Sequence, residues 1–550
     1  MRTPPPDILW FSLEDTSPIF GCHGDPVART PNLDRIAAEG RLYQNAFSTA
    51  PVCGPARNGI ITGRYPTANG AHHHRSGHNA ALRLDPNCPL PYQCVPPPQV
   101  KAFTEYLRAA GYFCSNNVKA DYQFGEPSSI WDSHSDEAHW RQRASGQPFF
   151  AVFNPMRTHE SCQWASDEAL TVDPSNLVLP PFLPDTPEVR LTLARQYHRL
   201  AISDAQLGEL LAELKDDGLL ENTIVFIWSD HGMGLPRYKR WPYDTGLRVP
   251  LIVRAPGLLA PGERSQELVS TIDLGTTVLA LAGVDRPSHL HGRVFLGPHR
   301  DTPRDYVFGS RDRYDESYDK MRTVRDARYR YIRNAYPNLE REIYNPYRNR
   351  HPAMQEIWSR AATGMLQGDQ NWFAPGPRRA EELYDTVSDP WELNNLIDDA
   401  SLREIRDGLR AKLDAWQDHY DPWFDVPESE MVYRWWPGGI QPVTAAPKAI
   451  ALGPGQPGLE TLSETSGSGE AISLSAPVLL QLTCGTEGAS IEYQLDPSPD
   501  QTDRWTLYTG AFPLVPGKRL VRARAIRYGY KPSAAVEWRF APELPSGAGG

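Results

Sequence analysis

Two apolar runs that each close on acidic residues constrain this chain more than any other feature. PDILWFSLED at 6–15 and TIVFIWSDHG at 223–232 are continuous hydrophobic stretches with polar groups gathered at their carboxyl ends. A strand that is apolar on both faces has to be covered on both, which is the situation of a central strand in a sheet flanked by helices. VPLIVRAPG at 249–257 reads as a third such strand. Ligands in open sheets of this kind gather beyond the carboxyl ends of the strands, where Glu14, Asp15, Asp230 and His231 fall.

Helical spacing fills the intervals. TPNLDRIAAEG places Leu33, Ile36 and Ala37 on one face, with Thr30 as a cap, Pro31 in the first turn and Gly40 as a stop. Between Pro187 and Asp217, Tyr197, Leu200, Leu207, Leu211 and Leu214 keep the same period until Gly218 breaks it. Strands alternating with helices predict an α/β fold over 1–300, with a large central sheet, mixed to mostly parallel, flanked by helices. Residues 301–450 are less regular: short strands in YVFGS and RYRYIRN, a loop-like stretch at 344–377, a helix near 401–417 and an aromatic extension, read together as a smaller α+β subdomain. The Gly/Ser/Pro/Thr-rich 451–470 reads as a linker, the short alternating strands of 471–541 as an all-β sandwich module, and 542–550 as a tail.

With 56 Lys+Arg against 67 Asp+Glu the net charge is −11, and the hydrophobic fraction of 40% is too high for a disordered polymer. The acidic balance argues against a general nucleic-acid binder but not against a small anionic substrate. No apolar run approaches the roughly 18–20 residues of a membrane span. The start, MRTPPPDILWFSLED, lacks a basic segment followed by a long apolar one, so a cytoplasmic protein with no membrane partner is expected. The seven cysteines are scattered, odd in number and without a CxxC pair, so they form neither a disulfide framework nor a thiolate zinc site.

The segment TAPVCGPARNGIITGRYP sets Cys53, Pro55 and Arg57 in the order C-x-P-x-R, ahead of a helix-like stretch and the turn Thr62-Gly63-Arg64. With the acidic pair Glu14 and Asp15, the helix-like TPNLDRIAAEG, the SDHG of 229–232, and Lys239 followed by Tyr243-Asp244 and Arg248 to Pro250, the chain resembles the type I sulfatases of the alkaline phosphatase superfamily. The resemblance runs from Asp7 to about Asp398. It implies an alkaline phosphatase-like fold and conversion of Cys53 to formylglycine by a formylglycine-generating enzyme. The hydrated aldehyde would be the nucleophile toward the sulfur of a small sulfated substrate. The activity implied is that of an arylsulfatase-like sulfuric ester hydrolase.

The residue chemistry agrees with that implication. A sulfate ester repels nucleophiles, so its hydrolysis needs a cation, positive donors and an activated oxygen. Glu14, Asp15 and Asp230 offer hard oxygen ligands for one divalent ion, with Cys53 and His231 completing the metal set. His231 stands where many sulfatases have Asn; its imidazole favours manganese, while the wider family implies calcium. Arg57, one helical turn after Cys53, would steady the nucleophile. Lys119 and Lys239 match the family lysines that touch the sulfate, and His159 matches the histidine that protonates the leaving alkoxide. The usual K-x-H is broken by Asp121, and His73 in AHHHRSG is the candidate substitute base.

Arg311, Asp312 and Arg313 could reach the substrate or form a structural salt bridge. The stretch WFDVPESEMVYRWWPGG at 423–439 is read as a tail folded on its own domain, with capping of a partner's site or packing of a homodimer as alternatives. The β module is read as a packing element or spacer. Two further functional readings stay open: phosphonate monoester or phosphodiester hydrolysis at the same site, and a silent anion-binding scaffold if Cys53 is unmodified.

Overall fold

The computed structural model describes residues 5–76, 87–89, 91–164, 168–453, 456–457, 462, 471–498 and 504–542. Its first eight strands form one sheet: β1 Asp7–Leu13, β2 Arg41–Phe47, β3 Phe113–Asn117, β4 Ser133–His134, β5 Phe149–Phe153, β6 Thr223–Ser229, β7 Arg248–Arg254 and β8 Glu263–Ser270. They lie in the order β4-β3-β5-β1-β6-β7-β2-β8. The two acid-tipped runs are central neighbours: β1 and β6 pair in parallel, Leu13 opposite Ser229, so their polar ends share one edge. β7 runs antiparallel to both β6 and β2, which makes the sheet mixed.

Alternation along β1 builds both faces of the core. Ile8 and Trp10 join a cluster with Phe103, Phe150 and Phe226 on one side, while Leu9, Phe11 and Leu13 join Leu33, Leu207 and Leu211 on the other. Side chains of this size, fully buried, contribute roughly 1.5–3 kcal/mol each. The helices that supply these layers include α1 (Pro31–Glu39), α3 (Phe103–Ala109) and α4 (Pro187–Asp216), while α2 (Cys53–Thr62) is buried along its whole length. Thr30 does not cap α1 with its side chain; its hydroxyl accepts from the Gly21 N–H at 2.9 Å and faces Asp34 at 3.2 Å.

Four antiparallel strands follow: β9 Val307–Arg311, β10 Met321–Arg325, β11 Tyr329–Asn334 and β12 Glu381–Asp385. Leu409, Leu413 and Trp416 of the helix Arg403–Tyr420 pack on this sheet. The stretch expected to be loop-like, 344–377, contains the helix Pro352–Thr363. Only Ala353, Met354 and Ile357 of it are buried, against Leu193 and Tyr197 of α4, and so short an apolar face carries little periodicity.

The last strands, β13 Lys448–Gly453 to β21 Val536–Pro542, form two sheets enclosing Leu480, Val521, Ala523 and Trp538. Most of the predicted linker, and the tail from 543, lie outside the described residues. The linker's first three residues complete β13 instead, Ala451 and Leu452 paired with Leu480 and Leu479 and Gly453 with Gln456. This sandwich is seated directly on α3 of the eight-stranded sheet's helical layer, where the Tyr528 hydroxyl meets Glu105. Gly529, at φ +79°, lies so close to Cys94 that a Cβ there would stand 2.4 Å from its carbonyl oxygen. The tryptophan-rich segment folds on its own chain, with Trp435 covering Gly70 and the Trp436 indole donating to the Gly529 carbonyl at 3.3 Å. No helix among the described residues is long and apolar enough to cross a membrane.

Candidate active site

The edge where β1 and β6 end is the site. Glu14, Asp15, Asp230 and His231 are all inaccessible to solvent there. Cys53, also inaccessible, opens α2, and its Sγ lies 3.3 Å from His231 Nε2 and 4.0 Å from Asp15 Oδ1. The helical register puts Arg57 one turn below Cys53. Its guanidinium reaches Glu14, Asp230 Oδ2 at 3.3 Å, Asn154 Oδ1 at 3.0 Å and Ser12 Oγ at 3.2 Å.

Two lysines face the same carboxylates. Lys239 Nζ is 2.9 Å from Asp15 Oδ2 and 3.1 Å from Glu160 Oε1; Lys119 Nζ is 3.5 Å from Glu14 Oε2 and 3.6 Å from Asp121 Oδ2. Burial opposes ionisation of the Cys53 thiol, but Lys239, Lys119 and His231 outweigh it and bring the thiol down to about 7. Burial and the Glu14 charge hold Asp230 above the usual carboxylate range. His231 is pushed up to about 9 by Asp230, Cys53 and Asp15 against its burial. Burial and Lys239 oppose protonation of His159, Asp15 and Cys53 favour it, and the balance lies above the ordinary imidazole value.

Ligand atoms of Asp15, Cys53, Asp230 and His231 lie within 4.8 Å of one another, as do those of Glu14, Asp15, Cys53 and His159. Among the described residues, Glu14 Oε2 is buried without a hydrogen-bond partner. Three crowded carboxylates, one of them short of a donor, with one imidazole nitrogen form a donor set that a divalent cation fits.

Of the residues expected from the sequence, the structure gathers Glu14, Asp15, Cys53, Arg57, Lys119, His159, Asp230, His231 and Lys239. It does not bring His73 to the cysteine. The charges around His73 are those of Glu428, His72, Arg313 and Asp312, and burial pushes its imidazole down to about 3. The next residue packs beside the cysteine's neighbour: a Cβ on Gly54 would stand 3.2 Å from His74 Nδ1. Burial and the cations Arg75, Lys239, Arg240 and Lys119 hold the His74 imidazole well below its ordinary range, and the ring stacks on Tyr314 at 4.9 Å. In this turn of three consecutive histidines the rings of His72 and His73 lie 4.2 Å apart while that of His74 stacks on Tyr314, and only the fold decides which one packs beside the cysteine's helix.

Glu160 and Arg240 escaped the sequence reading. Arg240 donates two 2.8 Å bonds to Glu160, which also holds Lys239. Their adjacency to His159 and Lys239 in the chain is the signal that could have found them. Arg311, Asp312 and Arg313 are committed to structural pairs, with Asp319 at 2.9 Å, Arg322 at 2.9 Å and Glu428 at 2.7 Å.

Comparisons with known proteins bear on this geometry. The family model described as Sulfatase matches residues 6–114 and 132–284, and that described as N-sulphoglucosamine sulphohydrolase, C-terminal, matches 234–367. An ulvan-active sulfatase of Formosa agariphila is 36% identical, over 97% of this chain and 91% of its own. The Homo sapiens N-sulphoglucosamine sulphohydrolase is 27% identical, over 78% and 93%. Among solved structures, a 2-O GAG sulfatase matches with a TM-score of 0.56 at 18% identity, over 76% of this chain and 93% of that one. The phosphonate monoester hydrolase of Agrobacterium radiobacter matches with a TM-score of 0.54 at 16% identity, over 76% and 96%. At such identities the structural likeness is one of fold.

Proposed function

The chain belongs to the sulfatase family of the alkaline phosphatase superfamily, and from that premise we propose that it hydrolyses the sulfate ester of a saccharide at Cys53. The observation that carries the proposal is the position of the Cys53 Sγ, 3.3 Å from His231 Nε2 within a cluster of carboxylates, Arg57, Lys119 and Lys239. Relatives named for ulvan, N-sulphoglucosamine and GAG substrates support a sulfated sugar over an aryl sulfate.

Glu14, Asp15, Asp230 and His231 would hold one divalent cation beside Cys53, the residue to be converted to formylglycine. Those two groups supply Lewis acidity and an oxygen nucleophile. The chain's own side chains do the rest. Lys119 and Lys239, already facing the carboxylates, are placed to neutralise sulfate oxygens as charge accumulates. Arg57 orients Glu14 and Asp230 by charge-assisted bonds. His159, held above the ordinary imidazole value, carries the proton that the departing sugar alkoxide needs.

Peptide mass spectrometry of the Cys53 segment, on protein from a host with the modifying enzyme, is expected to show the aldehyde in place of the thiol. The same protein should release sulfate from sulfated oligosaccharides, and Cys53→Ala should lower that release by about 10⁴-fold or more. Finding only thiol, or a strong preference for an aryl phosphonate in kcat/KM, would overturn the proposal.

A further inference from the structure

Backbone strain marks the mouth of this site. Non-glycine residues rarely adopt positive φ, and where they do the strain tends to serve function. Arg75 (φ +61°), Asp121 (φ +59°) and Asp315 (φ +44°) all do so, each from a different loop. The loops are tied together above Cys53. Gln123 donates its side-chain amide to the His73 carbonyl, and both Gln123 and His74 press on Gly54, where a Cβ would lie 2.8 Å from one and 3.2 Å from the other. The 311–315 loop joins from the opposite side: the Arg313 carbonyl accepts from the His74 N–H at 2.9 Å, and the Arg313 guanidinium donates to the Asp315 carbonyl at 2.7 Å.

The side chains on these strained residues are largely buried and short of partners. Arg75 is 28% exposed, and among the described residues its guanidinium makes no hydrogen bond; Asp315 Oδ1 stands 3.9 Å away, beyond bonding distance. The Asp121 carboxylate is 11% exposed and likewise accepts no hydrogen bond, with Lys119 at 3.6 Å. Among the described residues the Asp315 carboxylate accepts one hydrogen bond, a long 3.5 Å one from Asn345, besides its 3.9 Å pairing with Arg75. Asp121 is joined to the site through Lys119, and the turn that carries Arg75 is joined to it through His74, which packs with Gln123 on Gly54, the residue after Cys53. A five-donor guanidinium and two carboxylates held only by ion pairs of 3.6–3.9 Å and one long hydrogen bond keep capacity for a ligand rich in both donors and acceptors.

We propose that Arg75, Asp121 and Asp315 form the subsite for the sugar that bears the sulfate, gripping adjacent hydroxyls of a pyranose. Each hydroxyl can accept from the guanidinium and donate to a carboxylate, so a vicinal diol satisfies the row where an aryl ring leaves it unpaired. A site built this way rejects the analogue that lacks the hydroxyl. The subsite rests on the saccharide sulfatase reading above, and its test separates the two.

Turnover is compared on a sulfated ulvan oligosaccharide and on 4-methylumbelliferyl sulfate. Arg75→Ala is expected to lower kcat/KM on the sugar about 100-fold more than on the aryl ester, mainly through KM, and Arg75→Lys to restore little because an ammonium lacks the rigid planar fork that matches two adjacent oxygens. Asp315→Asn, a milder change, should move the same ratio in the same direction. In the Cys53→Ala background, calorimetric binding of the same sugar should weaken on adding Arg75→Ala. Equal losses on both esters, or sugar binding that ignores Arg75, would overturn the subsite. A wild-type enzyme that cleaves neither ester would overturn the function instead, with the calorimetry still deciding the subsite.

Discussion

At the seam between the β-sandwich and the catalytic sheet, the buried Glu105 carboxylate accepts from Ser129, Ser490 and Tyr528, and Tyr528 in turn accepts from the Ala102 N–H at 3.1 Å. At the end of β1, Glu14, Asp15 and Asp230 are just as buried but face one another. Acids are out of water in both places. In the first every oxygen of the central carboxylate has a donor. In the second, Asp230 is held above its usual range and Glu14 Oε2 has no donor, in spite of three nearby cations. A closed network rigidifies, whereas a crowded one is completed by a ligand. The difference teaches that burial of charge does not itself mark a catalytic site; unsatisfied burial does.

Several changes test that contrast, the largest effect first. Asp230→Asn keeps the shape but removes one of the crowded charges. It should lower sulfate release by roughly 10³-fold and abolish the rise in Tm on adding manganese or calcium chloride. The stability of the metal-free protein should change by less than about 1 kcal/mol, because the lost charge was uncomfortable there. A large destabilisation would place this cluster in the same class as the seam.

Glu105→Ala should do the reverse. Three hydroxyl donors lose a buried acceptor, and denaturant titration should show a loss of about 3 kcal/mol. Sulfate release at 25 °C should stay within a few-fold of wild type, since none of these groups approaches Cys53. A fall in turnover without a fall in stability would break the distinction between the two regions.

The smallest effect lies in the turn that carries His72 to Arg75. Burial holds His72 down at about 4 and His73 at about 3, below the ordinary 6.5. Between those values the unfolded chain binds protons that the folded one refuses. Stability is therefore highest above pH 6.5 and falls as pH drops toward 4, by at most about 1.4 kcal/mol per pH unit for each imidazole. The double variant His72→Asn with His73→Asn should flatten this acid limb in melts recorded from pH 7.5 to 5. An unchanged slope would mean that the histidines are not the titrating groups.

Much of the catalytic region was legible because its pattern is local. DILWFSL and TIVFIWS became adjacent central strands, and the four-residue step from Cys53 to Arg57 became one helical turn. The helix at 352–363 was not legible, since three buried apolar residues do not make a periodic face. The short strand β18, Thr506–Leu507, is likewise held by its pairing with β17, Ser490–Leu495, rather than by its own sequence.

What the sequence by itself determined is therefore the order and spacing of the chemistry: an acidic pair at one strand end, a cysteine opening a helix, an Asp-His at the next strand end. These follow from hydrophobic period and helical rise, which act over a few residues. Only the tertiary structure decided that His74 packs against Gly54, next to the cysteine, that Asp315 comes within 3.9 Å of Arg75, and that the β-sandwich is welded to the catalytic sheet. Each of those depends on which distant loop arrives at a given point; Tyr528 meets Glu105 across 423 positions of chain. Contacts of that kind are set by packing of the whole core, and no local pattern encodes them.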